Sequence, residues 1–259
     1  MAGAALITGA SEGIGRALAH VFARHGHPLL LTARNAARLD SLAAEVRERY
    51  GAEAWCLPAD LGQATAPAAL HQAVRELGVE VEHLVNNAGF GLYGDFLSRD
   101  LEAQSQLVQV NIAALTELCH RFGAEMAARG HGRIMNVASV VAFMPGPMMA
   151  TYFASKTYVH RFSESLYEEL KPKGVSVTCF CPGRTESLFQ ERSGLAFAPR
   201  PGGGTASAQS VAEAGYRAMM AGRVLAFPGL LNKLMPLGER LLPRLVLRKT
   251  IHAVMRRRP

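Results

Sequence analysis

The chain reads as an α/β protein: a doubly wound parallel sheet with helices on both faces, in a single domain. Three observations carry that reading. Short apolar runs alternate with helix-period segments along most of the sequence, the pattern of a parallel sheet covered on both sides. The first apolar run leads directly into a glycine-rich turn, TGASEGIG at Thr8 to Gly15, and from there into a helical pattern. The length of 259 residues, with 49% hydrophobic content, suits one undivided domain.

Taken in order, residues 4–8 form the first strand, 13–25 a helix and 29–32 a second apolar strand. Asn35 is an N-cap signal, and the helix it opens runs to Tyr50 and stops at Gly51. Residues 54–57 are the third strand, ending before Asp60. A helix over 66–77 and a strand over 83–86 follow, and then a long helical region from about 101 to 129. Residues 133–139 make the fifth strand. The next helix covers 151–170 and ends near Pro172-Lys173-Gly174, after which 175–181 is the sixth strand. A helix over 208–221 and a strand over 224–227 complete the pattern, and there is no internal repeat.

The stretch TYFASK, Thr151 to Lys156, sets Tyr152 and Lys156 four residues apart near the start of a helix, on one face and one turn from each other. A phenol of ordinary pKa, about 10, is an acid near neutrality and a poor base. An ammonium roughly 4 Å away attracts a developing phenolate by on the order of 4 kcal/mol at an effective dielectric near 20, which moves the phenol toward neutrality and suits it to proton transfer. Such a pair arises by chance on many surface helices. Its weight here comes from Ser139, which ends the strand-like run RIMNVAS, and from NNAG at Asn86 to Gly89 further upstream.

The motifs TGxxxGxG, Asp-Leu, NNAG, a helical Asn, Ser, YxxxK and Pro-Gly follow one another in an order and spacing that resembles the single-domain short-chain dehydrogenases/reductases, from Ala4 to about Pro228. The resemblance implies a Rossmann-type fold and reversible hydride transfer between a nicotinamide and a carbonyl carbon, with a catalytic tetrad of Asn111, Ser139, Tyr152 and Lys156. Tyr152 would donate the proton in reduction and Ser139 would hold the carbonyl oxygen. Lys156 would bind the nicotinamide ribose and acidify Tyr152. Asn111, mid-helix in LVQVNIAAL, would hold a distorted turn and a water beside the lysine.

Each glycine of the first turn has its own reason. Gly9 allows the tight turn after the strand, while Gly13 and Gly15 let the backbone and helix approach a pyrophosphate at the positive helix end. Ser11 and Ile14 belong to the same implied contact. Cofactor choice is decided just after the second strand, where a carboxylate would meet a ribose diol and a guanidinium a 2′-phosphate. There the chain reads Thr32-Ala33-Arg34, with Arg38 a turn later. That favours NADP(H), with NAD(H) as the alternative, and Glu12 inside the glycine turn is the opposing sign. By resemblance, Asp60 and Leu61 set the adenine, and Asn87, Ala88 and Gly89 turn against the cofactor. Pro182, Gly183, Thr185 and Ser187 likewise meet the nicotinamide side, although Thr185 and Ser187 depart from the family's usual residues there.

The expected substrate pocket is apolar: Phe90 and Tyr93 after NNAG, Val141, Phe143 and Met149 between Ser139 and Tyr152, and Leu188 and Phe189 beyond the sixth strand. A hydrophobic ketone or secondary alcohol fits that lining better than a sugar. A 3-oxoacyl thioester reductase and a regulatory dinucleotide sensor without turnover are the other readings. No metal site is expected, and Cys56, Cys119, Cys179 and Cys181 read as buried thiols, the last two on the same side of one strand. The start of the chain has no charged region or cleavage site, which points to a cytoplasmic protein. A homodimer or homotetramer is the expected assembly.

Charge is concentrated at the end. Residues 229–259 hold eight bases and one acid, so the net +7 of the whole chain lies there, and the other 228 residues balance 20 bases with 20 acids. No nucleic-acid module accompanies this charge. The sequence divides into a catalytic domain over 1–228 and a basic amphipathic extension over 229–259. In the extension, Leu230, Leu234, Leu237, Leu241 and Leu245 recur at helical spacing, with Pro236 and Pro243 breaking the run. Packing of this face on the body is the default expectation, and peripheral contact with an anionic membrane is the alternative.

Overall fold

The computed structural model describes residues 3–186, 188–194, 205–229, 232 and 243–256. Seven strands form one sheet in which every pairing is parallel: β1 (Ala4–Thr8), β2 (Leu29–Thr32), β3 (Ala54–Cys56), β4 (Val81–Asn86), β5 (Gly132–Val137), β6 (Val175–Phe180) and β7 (Leu225–Ala226). Their order across the sheet is β3-β2-β1-β4-β5-β6-β7, so the chain reverses direction of travel between β1 and β4. A crevice opens there, beyond the carboxyl ends of the strands.

Strands covered on both faces are apolar throughout, which is why β1 and β2 are buried at every residue. On one face, α1 (Gly13–Arg24), α2 (Ala36–Tyr50) and α8 (Ala208–Met220) enclose a core around Phe22, Leu39 and Phe180. On the other, α3 (Ala66–Glu76), α5 (Leu115–Arg129) and α6 (Ala150–Leu170) enclose Leu118, Phe122 and Val159.

The long helical region predicted from 101 to 129 is continuous but not regular. It consists of α4 (Leu101–Val108), a π-helical segment (Gln109–Ala114) and α5. A short helix, α7 (Phe189–Ser193), lies beside the mouth of the crevice.

The extension contains α9 (Arg244–Arg256), which begins directly after Pro243. Of the leucine repeat only Leu245 falls within this helix, and Leu245 does not dock it. Leu245 is 54% exposed, and Leu230, Leu234, Leu237 and Leu241 lie outside the described residues. Ile251 and Met255, four residues apart on one face, pack instead against Tyr93, Leu107, Met149, Tyr152 and Phe153. Among the described residues no helix is long and apolar enough to cross a membrane. All four cysteines are free, and the Sγ atoms of Cys179 and Cys181 stand 3.7 Å apart inside β6 and its extension.

Candidate active site

A cavity of about 660 Å3 occupies the crevice and collects residues from the ends of β1, β2, β4, β5 and β6. At its floor, Gly9 and Gly13 take left-handed φ of 65° and 54°, which keeps the turn free of Cβ atoms where it doubles back into α1. Ser11, Glu12, Gly13 and Ile14 line the cavity, and Glu12, the N-cap residue, makes no side-chain cap. The first amides of α1 are thus left for an anion, the arrangement that suits a pyrophosphate. Gly15 is not at the cavity wall. It sits beneath the turn, where a methyl group would collide with the Gly9 carbonyl and the Asn87 side chain, so its role is close packing and not ligand contact.

Thr8, to which the sequence reading gave no part, ties the floor together. Its Oγ1 accepts from the amides of Asn87 and Ala88, both at 2.9 Å, and Asn87 Nδ2 donates to the Thr8 carbonyl at 2.9 Å. A hydroxyl ending an otherwise apolar strand was the available signal. Gly89 approaches the catalytic groups so closely that a Cβ there would lie 3.1 Å from Asn111 Oδ1 and 3.4 Å from Lys156 Nζ.

At the β2 end, Thr32, Ala33, Arg34, Asn35 and Arg38 face the cavity. Arg38 Nη1 donates to Glu12 Oε2 at 2.7 Å, so the two residues that pulled the cofactor argument in opposite directions meet each other. Asn35 Oδ1 accepts from the Arg38 amide at 3.0 Å and starts α2. Across from them stand Asp60 and Leu61. Asp60 Oδ1 accepts from the Gly62 amide at 3.0 Å, which fixes the turn that presents it.

The four expected catalytic residues come together from three directions. Ser139 follows β5 and accepts from the Val141 amide at 3.3 Å. Tyr152 and Lys156 stand one turn apart on α6, and the π-helical segment carries Asn111. The Asn111 side chain is fully engaged: Oδ1 accepts from the Phe90 amide at 3.1 Å, and Nδ2 donates to the Phe90 carbonyl and to Ser155 Oγ, both at 3.0 Å. Ser155, also missed in the sequence, passes the link on to the Tyr152 carbonyl at 2.7 Å.

Lys156 is buried, and its Nζ donates to the Val137 carbonyl at 2.8 Å, 5.9 Å from the centre of the Tyr152 ring. Burial pushes its pKa down to about 8, partly opposed by the thiols of Cys179 and Cys181. The net shift of the phenol toward neutrality that the sequence suggested is not what this site gives, because burial outweighs the attraction of the ammonium. Burial pushes the Tyr152 pKa well up, a hydrogen bond with Ser139 opposes it, and the ammonium is directed to the Val137 carbonyl.

Toward the mouth the wall turns apolar: Phe90, Val141, Met149, Leu188 and Phe189 line it as expected from sequence. Phe143 does not. The 3-10 turn Val140–Phe143 swings it into the core, against His160 at 4.4 Å and Phe227 at 5.6 Å between ring centres. Tyr93 lies behind the wall, its hydroxyl donating to the Met255 carbonyl at 2.6 Å, and the wall residues that the sequence did not foretell include Val110, Phe153 and Met255. Pro182, Gly183 and Thr185 line the cavity, whereas Ser187 lies outside the described residues. Among the described residues, no cluster of His, Cys, Asp and Glu makes a metal-ligand set.

A short chain dehydrogenase family profile matches residues 3–195. The probable oxidoreductase EphD of Mycobacterium tuberculosis is 36% identical over 191 residues, which is 73% of this chain and 32% of EphD, so the chain spans about a third of that relative's length. Of solved structures, a short-chain dehydrogenase from Sphingobium yanoikuyae in complex with NADPH superposes with a TM-score of 0.82 at 34% identity, covering 88% of this chain and 89% of that one. The bulky-bulky ketone specific alcohol dehydrogenase from Comamonas testosteroni gives 0.79 at 33% identity, covering 93% of both chains.

Proposed function

The chain belongs to the short-chain dehydrogenase family, and from that premise we propose that it is an NADP(H)-dependent oxidoreductase acting on a hydrophobic ketone or the matching secondary alcohol. The observation that carries the reading is a single cavity with Arg34 and Arg38 at one end, Ser139, Tyr152 and Lys156 in its wall, and an apolar lining at the other end. The Sphingobium structure contains NADPH and the Comamonas enzyme is named for bulky ketones, which supports both halves of the proposal.

When bound, NADP(H) supplies the hydride chemistry. The α1 turn and the Asn87–Gly89 turn would hold its phosphates and central part, Asp60 and Leu61 its adenine, and Arg34 a 2′-phosphate. Tyr152 donates its proton to the substrate oxygen in reduction and takes one back in oxidation. Its raised pKa keeps the phenol protonated near neutrality, the form a donor needs. Ser139 orients the same oxygen. Lys156, charged below about pH 8, lowers the cost of the phenolate left behind. Asn111 fixes the Phe90 backbone beside these groups, and the apolar wall keeps competing water away from the reacting carbon.

NADPH oxidation measured with a panel of bulky aryl ketones, sugars and 3-oxoacyl thioesters tests the proposal. Turnover of the ketones above the rest is expected. A clear preference for thioesters would replace the substrate class, and NADPH binding without any turnover would move the protein to the dinucleotide sensors.

A further inference from the structure

We propose that α9 is a strap across the substrate end of the cavity, latched by Tyr93, and that Met255 sets the upper size of the substrate. The inference rests on the reading of that end as the substrate site, and α9 lies beyond residues 3–195, the part matched to the family. Most of α9 is in contact with solvent: Leu245, Val246 and Val254 are 54%, 48% and 37% exposed. Met255, by contrast, is 5% exposed and reaches the cavity wall, in one cluster with Met149 and Tyr152. A helix that is exposed along most of its length and buried at one residue near its end is held at that end.

The holding contact is specific. The last carbonyls of a helix have no partner within the helix, and Tyr93 supplies one by donating to the Met255 carbonyl at 2.6 Å. Tyr93 is itself fixed, since its amide donates to the Ser193 carbonyl at 2.9 Å and the next amide, of Gly94, donates to the Met148 carbonyl at 2.8 Å. One short loop therefore joins α7, the approach to α6 and the end of α9 at the cavity mouth. Met148 takes a left-handed φ of 68°, the single non-glycine residue to do so among those described, so the backbone at this junction is strained into place. Tyr93 is a positioning residue here, acting through Met255. A thioether at the wall gives an adaptable but finite boundary.

The test uses the full chain with Met255→Ala, Met255→Trp and Tyr93→Phe, a series of aryl ketones of increasing bulk, and NADPH affinity as the folding check. Met255→Ala should raise the ratio of kcat/KM for the largest ketone to that for the smallest by about tenfold or more, mainly through KM, and Met255→Trp should lower it by a similar factor. Tyr93→Phe should blunt the discrimination and speed both amide hydrogen exchange over 243–256 and tryptic cleavage after Arg248 and Lys249. If the ratio stays within twofold in all three folded variants, Met255 is not the size gate. If exchange and cleavage are unchanged in Tyr93→Phe, there is no latch. A wild-type protein that binds NADPH but turns over no ketone overturns the substrate reading, and the exchange result then decides the strap alone.

Discussion

Glu12→Ala should tighten NADPH binding, because Glu12 is the carboxylate paired with a guanidinium at the β2 end of the cavity. Arg34 and Arg38 bring two positive charges there and Glu12, 2.7 Å from Arg38, takes one away. The Glu12–Arg38 pair is partly exposed, at 24% and 47%, so breaking it costs about 0–1 kcal/mol of stability. A 2′-phosphate carries nearly two negative charges, and removing a carboxylate a few ångströms away in solvated surroundings is worth about 1 kcal/mol, or about fivefold in Kd. NADH, which lacks that phosphate, should shift by less than twofold. Arg34→Ala is the companion, expected to weaken NADPH by about 1.5–3 kcal/mol, about 10- to 150-fold, and to spare NADH. The assay is titration of cofactor fluorescence at low and at physiological ionic strength, with the Glu12→Ala gain shrinking as salt rises. If Glu12→Ala weakens NADPH, then Glu12 serves the phosphate by holding Arg38 in place, and the charge argument fails. Equal changes for both cofactors would refute it as well.

Three other outcomes follow from the site and the core. Tyr152→Phe should remove nearly all turnover and leave NADPH affinity within about twofold, and substantial residual activity would mean that another group donates the proton. Lys156 loses its charge as pH rises through about 8, so reductive kcat/KM should hold below that pH and fall above it, and a flat profile to pH 9.5 would show that the ammonium is not needed. On β4, burial and then the nearby His27 and Arg133 push His83 down to about 3, so the folded state takes up its proton far less readily than the unfolded chain. The stability this gives is present above pH 6.5 and is lost as pH falls toward 3. It amounts to at most about 2.7 kcal/mol between pH 6.5 and 4.5 at about 1.36 kcal/mol per unit. Urea unfolding of His83→Leu at the two pH values should show a flatter dependence than the parent, and parallel losses would assign the acid sensitivity to other groups.

The sheet was legible because a strand covered on both faces must be apolar at every position, and LLLT of β2 can hardly be read otherwise. Strand ends were less legible. Leu57 and Ser139 continue their apolar runs, yet Leu57 only donates one last bond to Leu31 and Ser139 already caps the turn that follows. Tyr152 and Lys156 could be placed on one face from their spacing. Spacing is silent about direction, however, and the Val137 carbonyl that claims the ammonium belongs to a strand nineteen residues earlier. Phe143 and Tyr93 were misjudged for the same reason, since closeness in sequence to a catalytic residue does not say which way a side chain turns in a short loop. Met255 is the extreme case. Nothing within α9 marks it above Val246 or Val254, and its burial comes from residues distant in sequence, Tyr93, Leu107, Met149, Tyr152 and Phe153 among them, that gather with it in one cluster.

The π-helical segment between α4 and α5 works as a spacer between two clients of one continuous helix. Behind it, α5 is registered on the sheet through Leu118 and Phe122; within it, Asn111 is held to Phe90 and Ser155; ahead of it, Leu107 is wholly buried in the cluster that receives Met255. A regular helix turns by about 100° per residue, so deleting one residue from 109–114 would give a smoother helix and swing Leu107 a quarter-turn or more off its cluster. The irregularity is therefore what allows a single rod to meet the catalytic groups and the substrate mouth at angles that regular periodicity does not provide. Length changes should be tolerated in the loops at either end of this rod and hardly at all within it.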